Sequence, residues 1–311
     1  MAAPSDLTAR LGLDPGARAI ILNADDYGMC HAANVAISEL LSAGHLDSAT
    51  VMMPCSWAPE ALAYAAAHPE ADIGVHLVLT SEWTNYRWRP LTGVAASLVD
   101  EDGFFPATVA EVERSAAEAE VAAELAAQVE AALSAGVDVT HLDNHMGSVY
   151  GLATGRDFLG PVFALAAAHG LPFRLPRVMD HTDLGTVPQD TLDRAAAAAD
   201  ASGIVILDRL WTHPFALARE GTPGEETYEQ VRDGFLELLR SVPEGVTEIY
   251  LHPMVDDEEL RAAVDFSAAK RGYERRILAD PLVQQAIDQE GLVRIGWRAL
   301  RDVQRGEKSA R

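Results

Sequence analysis

The stretch Arg18-Ala19-Ile20-Ile21-Leu22-Asn23-Ala24-Asp25-Asp26-Tyr27-Gly28 decides how the rest of the chain is read. Its first part, Arg18 to Asn23, is a short β-branched apolar run of the kind that fills a strand buried on both faces. Two adjacent carboxylates follow at its carboxyl end. His31 to Leu41 then places apolar residues at helical spacing and stops before Gly44, a C-terminal signal. Strand, polar loop and helix in that order predict one βα unit.

The same alternation continues outward. Strands are predicted over Ser48 to Met53, Ile73 to Thr80, Val137 to Asp143, Leu171 to Leu175, Gly203 to Leu207, Val246 to Leu251 and Val293 to Trp297. Between them lie predicted helices over Pro59 to His68, Thr108 to Ala135, Gly160 to His169, Glu226 to Leu239 and Asp280 to Asp288. Alternation of this kind predicts an α/β fold, a single domain whose seven or eight mostly parallel strands form an open sheet or a barrel. Two segments break the rhythm. Residues 81–107 hold Trp83, Tyr86, Trp88, Phe104 and Phe105 without a period and read as a long loop insertion, a feature that is usually functional. Residues 178–226 are more loosely patterned.

Composition narrows the function. With 24 Lys and Arg against 47 Asp and Glu, the 311-residue chain carries a formal charge of −23. Such a surface repels phosphate backbones, and the short basic cluster Arg271 to Arg276 is too diluted to act as a nucleic-acid patch. No nucleic-acid partner is expected. The first twenty residues lack the apolar core of a secretory leader, and no run approaches the roughly 18 apolar residues of a membrane span. With only Cys30 and Cys55, the expectation is a cytoplasmic protein without a disulfide framework or a membrane contact.

Ionisable residues cluster where strands end. Asp25 and Asp26 follow the first strand, His76 lies in the third, Asp143 and His145 follow the fourth, Arg174 is beside the fifth and His252 closes Val246 to Leu251. In parallel α/β folds the carboxyl ends of the strands carry the site, so five elements point at one place. Neighbouring side chains in an extended backbone face apart, which assigns Asp25 and Asp26 separate tasks. Of His141 and His145, only one can act as a ligand if the segment is strand. Asp26, His76 and His145 form the candidate metal set, one carboxylate and two imidazoles with positions left open for water and substrate. Two imidazoles favour zinc over magnesium as the single divalent ion.

Four segments taken together resemble the signature motifs of the YdjC/ChbG-type carbohydrate deacetylases: Asn23 to Gly28, Gly74 to Thr80, Thr140 to His145 and Leu251-His252-Pro253. The resemblance runs in order over most of the chain. It implies a distorted, TIM-like (β/α) barrel, a homodimer, an N-acetylated sugar as substrate, and Asp26, His76 and His145 as metal ligands. After the third motif this chain has Met146-Gly147-Ser148-Val149-Tyr150 where many relatives carry further histidines, so the resemblance implies the reaction class and leaves the sugar open.

Amide hydrolysis needs an activated water, a polarised carbonyl and an acid for the leaving amine. A divalent ion would supply the first two. Asp25 is the candidate base and His252 the candidate acid, while Asp143 is placed to fix the tautomer of a ligand histidine. Arg174 is assigned to orient Asp25, with Arg177 as its competitor. Trp83 and Trp88 are candidate sugar-stacking residues, or else loop packing. Two other classes stay open: a different metal-dependent amide or ester hydrolase on the same scaffold, and a catalytically silent carbohydrate-binding protein.

Overall fold

A computed structural model describes residues 6–93, 95–182, 184–185, 187–213, 227–264 and 267–307. Its organising element is β1 (Arg18–Tyr27), buried along its whole length after Arg18. The period of two along β1 feeds two cores. Ile20, Leu22 and Ala24 join the larger cluster, between sheet and helices, whereas Ala19 and Ile21 join a smaller one with Val246, Leu210, Trp297 and Leu300. A strand flanked by apolar residues on both faces must be apolar throughout, as this one is.

Helix α1 (Leu7–Arg10) precedes β1, and the alternation then runs α2 (His31–Ser42), β2 (Ser48–Val51), α3 (Ala58–Ala67), β3 (Ile73–Leu77). After the insertion come α4 (Val109–Ser115), α5 (Glu118–Ser134), β4 (Leu142–Asn144), α6 (Leu159–His169), β5 (Pro176–His181), α7 (Gln189–Ala201) and β6 (Leu207–Thr212). The chain closes with α8 (Tyr228–Ser241), β7 (Gly245–Leu251), α9 (Glu258–Ala263), α10 (Ala268–Leu278), α11 (Pro281–Gln289), β8 (Val293–Arg294) and α12 (Trp297–Arg305).

The sheet runs β4-β3-β2-β1-β7-β6-β5 with every pair parallel, and β8 adds to the start of β1. The two ends of this curled sheet meet through a single rung, in which the Leu142 amide donates to Pro172 O and the Arg174 amide to Leu142 O. The result is a distorted α/β barrel. Parallel strands all present their carboxyl ends to one rim, so the residues after β1, β3, β4 and β7 are neighbours there.

Several predicted boundaries shift. The segment predicted as strand over Leu171 to Leu175 forms one isolated bridge, between Phe173 and Leu142, and the fifth strand is instead Pro176–His181. The strand predicted over Val137 to Asp143 is shorter and ends later, at Leu142–Asn144, and the one predicted over Gly203 to Leu207 lies later, at Leu207–Thr212. The long helix predicted over Thr108 to Ala135 is two helices. Ser97 Oγ takes the Ala117 amide at 2.7 Å, and Glu120 takes the Ser97 amide, so a turn at Ala116 is satisfied from the insertion. The insertion itself is packed: Trp83, Trp88 and Phe105 are buried, and Ser81 N donates to Pro106 O at 2.8 Å. Of the looser 178–226 segment, residues 183, 186 and 214–226 lie outside the described residues. No helix among the described residues is long and apolar enough to cross a membrane.

The turn out of β1 depends on Gly28. Its φ is +83°, and a Cβ there would stand 2.9 Å from Ala58 Cα. Gly28→Ala is expected to destabilise the protein by about 1–3 kcal/mol, a strained φ added to a clash. Urea denaturation of the variant checks this, and an unchanged midpoint would show that α3 gives way freely.

Candidate active site

β1 reaches the rim with a bulge. Its register against β2 slips between Ala24 and Tyr27, and Asp26 takes the left-handed conformation at φ 65°. The strict alternation expected of neighbouring carboxylates is thereby broken, and Asp25 and Asp26 both line one cavity of about 240 Å³. The cavity is shared with His76, Glu82, Trp83, His145, Arg174, Tyr250, His252 and Arg271. Sequence spacing alone had predicted that the two would face apart.

Asp25 is buried and doubly held. Arg174 donates Nη1 to Oδ2 and Nη2 to Oδ1, each at 2.7 Å, and Asn23 Nδ2 donates to Oδ1 at 2.9 Å. Burial works against its ionisation, but the Arg174 charge, with His76 and His252 adding to it, brings the carboxyl down to about 2. Arg177 pairs instead with Asp200 at 2.6 Å on the surface. The structure therefore selects Arg174 as the partner of Asp25.

Strand pairing sets the next group. His76 and Asp143 are register partners across β3 and β4, and His76 Nδ1 meets Asp143 Oδ1 at 2.7 Å. Asp143 also accepts from Thr50 Oγ1 at 2.8 Å and faces Arg174 Nη1 at 2.9 Å. A carboxylate on Nδ1 places the proton there and turns a Nε2 lone pair towards Asp26 Oδ1, 3.8 Å away, and Asp25 Oδ2, 4.0 Å away.

Asp26 is held by different partners. Arg271 Nη1 donates to Oδ2 at 2.9 Å, whereas Oδ1 is buried without a hydrogen-bond partner, 3.4 Å from His145 Nδ1. Burial raises the Asp26 carboxyl, yet His145, His252 and Arg271 together hold it well below the usual carboxylate range. His145 Nε2 meets Glu82 Oε2 at 2.9 Å. Burial alone would lower the His145 imidazole, and flanking Glu82 and Asp26 push it up to about 10. His252 enters from the end of β7, its amide donating to Glu274 Oε2 at 2.8 Å and its ring edge-on to Tyr250.

The sequence-predicted tryptophans part company. Trp83 lines the cavity and lies under the Arg271 guanidinium, 5.7 Å from ring centroid to Cζ. Trp88 is off the cavity wall, with Nε1 donating to Thr80 O at 2.7 Å and its ring packed on His145. His141, the other histidine of the cluster, is stacked on Trp297 in the barrel interior and does not reach the rim.

Among the described residues two triads bring ligand atoms within 4.8 Å of one another: Asp26, His76 and His145, and Asp25, His76 and Asp143. In the second, Arg174 and His76 Nδ1 already occupy the carboxylates. The first fits a divalent cation better, because it offers an anionic oxygen that accepts no hydrogen bond, a His76 lone pair fixed by Asp143, and, in Glu82 and Asp26 around His145, a negative field in which a cation would take the place of the imidazole proton.

Three participants were missed from the sequence: Glu82, Glu248 and Arg271. Glu248 could have been noticed, since a carboxylate inside the buried run Val246 to Leu251 is an anomaly that requires a partner. Glu82 and Arg271 carry no comparable signal. In the sequence Arg271 is only the first residue of the short, diluted basic cluster Arg271 to Arg276.

A parallel α/β barrel that gathers carboxylates, imidazoles and guanidinium groups at the carboxyl ends of its strands has the build of a barrel enzyme. Within that class the chain belongs to the family described as YdjC-like protein, which residues 19–289 match. It is 34% identical over 300 residues to a carbohydrate deacetylase of Thermus thermophilus, covering 96% of this chain and 98% of the relative. A carbohydrate deacetylase of Thermoanaerobacter pseudethanolicus is 26% identical, covering 91% and 99%. A crystal structure from Enterococcus faecalis V583, provisionally described as a cellobiose-phosphate cleavage protein, superposes with a TM-score of 0.73 at 27% identity, covering 91% and 99%.

The Asp25 shift carries a pH dependence. A carboxyl depressed on folding stabilises the native state above its unfolded pKa near 4, and that contribution is lost as pH falls towards about 2. In acid titrations of stability, Asp25→Asn should show a shallower loss than wild type across this window. Parallel curves would mean that the ion pair contributes nothing to folding.

Proposed function

We propose that this chain is a metal-dependent hydrolase that removes the N-acetyl group from an acetylated sugar or oligosaccharide, using one divalent ion, zinc or magnesium. One observation carries this reading: an Asp26 Oδ1 that accepts no hydrogen bond converges with His76 and His145 beside a second carboxylate, Asp25, that is locked by Arg174. The carbohydrate deacetylases to which the chain is similar along nearly its whole length support it.

Asp26, His76 and His145 would hold the ion. Once bound, it would polarise the acetyl carbonyl and make water acidic enough for a weak base. Asp25 is such a base. With its carboxyl near 2 it contributes position and a permanent charge rather than intrinsic basicity. In the proposed sequence Asp25 takes the water's proton, the hydroxyl adds to the acetyl carbon, and the C–N bond breaks as His252 protonates the departing amine. Acetate and the free amino sugar leave. Asp143 keeps the His76 proton on Nδ1 throughout, and Trp83 presents an apolar wall to the pyranose ring.

Acetate release from a panel of N-acetylated mono- and oligosaccharides, before and after exhaustive chelation, tests the reading. An enzyme fully active without metal would overturn it. The neighbouring carboxylates give a sharper test. Asp25→Asn should retain metal while kcat falls by roughly 10²- to 10⁴-fold, the worth of a positioned base. Asp26→Asn should lose metal, with partial recovery at high metal concentration. Equal metal loss in both variants would place Asp25 in the coordination shell instead.

The tryptophans separate binding from packing. Trp83→Ala should raise KM with little change in kcat, the signature of lost uniform binding. Trp88→Ala should chiefly lower the melting temperature. A KM effect confined to Trp88→Ala would reverse the assignment.

A further inference from the structure

Both terminal nitrogens of Arg174 are engaged, while its Nε is buried without a hydrogen-bond partner. Nη1 donates to Asp25 Oδ2 and faces Asp143 Oδ2 at 2.9 Å, while Nη2 donates to Asp25 Oδ1 and to Glu248 Oε1. Four terminal hydrogens thus meet four oxygens. Asp25 and Asp143 have tasks in the reaction proposed above. Glu248 has none. It sits in the middle of β7, opposite Ile21 of β1 and Leu210 of β6, with no exposed surface.

Three carboxylates around one guanidinium leave more negative charge than the group can neutralise. The conflict is resolved most cheaply at Glu248, because its second oxygen, Oε2, is buried without a hydrogen-bond partner. A neutral carboxyl with one unsatisfied atom costs less in a dry site than an anion with a bare oxygen. Asp25 and Asp143, by contrast, each take several donors.

We propose that Glu248 is a positioning residue: held as an uncharged carboxylic acid, it accepts the outer Nη2 hydrogen of Arg174 and so fixes the guanidinium plane against both oxygens of Asp25. The groups facing it agree with that state. Burial pushes the Glu248 carboxyl up, Arg174 opposes this, and Asp25 and Asp143 add to it, so that it stands at about 8. Tyr150 donates its hydroxyl to Arg174 O and anchors the same residue by its backbone. Without the fourth acceptor the guanidinium could rotate off Asp25, and the base would lose its orientation while substrate contacts stayed intact.

The inference rests on Asp25 being the base, so its test combines kinetics with two readouts that need no turnover. Glu248→Gln keeps an oxygen acceptor and no charge, whereas Glu248→Ala removes the acceptor. The Gln variant should retain wild-type kcat, and the Ala variant should lose about tenfold or more in kcat at unchanged KM, the effect of one lost hydrogen bond on a catalytic geometry. A Gln variant as poor as Ala would show that the charge is needed and would overturn the proposal, as would an Ala variant with full kcat. Independently, the infrared difference between wild type and Glu248→Gln at neutral pH should contain the carbonyl band of a protonated carboxyl. In ¹⁵N-edited NMR spectra the Arg174 Nη hydrogens should exchange slowly in wild type and Gln but rapidly in Ala. Absence of the band, or slow exchange in Ala, overturns the proposal. If Glu248→Ala does not fold, the Gln kinetics and the infrared band decide it. Wild-type protein that shows the band and the slow hydrogens yet releases no acetate would refute the deacetylase reading alone.

Discussion

At Asp26 the backbone of β1 takes φ 65°, and the charged contacts at the rim depend on that one left-handed residue. In a regular strand Asp25 and Asp26 would project to opposite faces, one into the barrel and one into the helical layer. A non-glycine residue in this region costs of order 1–3 kcal/mol and persists only where its surroundings determine it. Here they do. The Asp26 carbonyl accepts from Met29 N at 3.0 Å, Gly28 N donates to Asn34 Oδ1 at 2.7 Å, and Arg271 grips the Asp26 carboxylate from α10. The bulge, the following glycine and the first turn of α2 form one unit, and its product is two carboxylates side by side.

Buried charge is the second constraint. Asp25, Asp26, Asp143, His76, His145 and Arg174 are all nearly inaccessible, and desolvating so many ionisable groups costs stability that their mutual attraction only partly returns. Every carboxylate among them is met by a guanidinium, an imidazole or a hydroxyl, and the contacts cross β1, β2, β3, β4 and the Phe173–Pro176 junction. Removing a partner strands a charge, so the site is stiff. A stiff site keeps its groups in place without reorganisation, which is what a reaction that develops charge requires.

Much of this was legible in the sequence for a specific reason. Parallel strands must end at a common rim, so ionisable residues at the ends of apolar runs could be assigned to one place before any contact was known, and Asp25, Asp26, His76, His145, Arg174 and His252 do share a cavity. The bulge was not legible, because alternation is a property of regular strands and nothing in Asp25-Asp26-Tyr27 marks the departure. Arg271 and Glu82 come from a helix and an insertion whose own patterns say nothing of what they face. The shifted strand at Leu171 to Leu175 has a similar cause: its apolar residues fit a strand, but only Phe173 finds a β4 partner before the chain moves on to pair with β6 at Pro176.

The two neighbouring carboxylates show how partners can divide chemistry between identical groups. A carboxylate has about four lone-pair directions. On Asp25, Oδ1 takes two donors, Asn23 and Arg174, whereas Oδ2 takes one from Arg174 and lies 4.0 Å from His76 Nε2. It is therefore fixed in place yet keeps a direction open on Oδ2, which is what receiving a proton demands. On Asp26, Arg271 occupies Oδ2 and leaves Oδ1 with no hydrogen-bond donor, the arrangement that suits a cation bound through one oxygen. The proposed roles of base and ligand follow from this difference in solvation by the protein, since the two side chains are otherwise the same acid one residue apart.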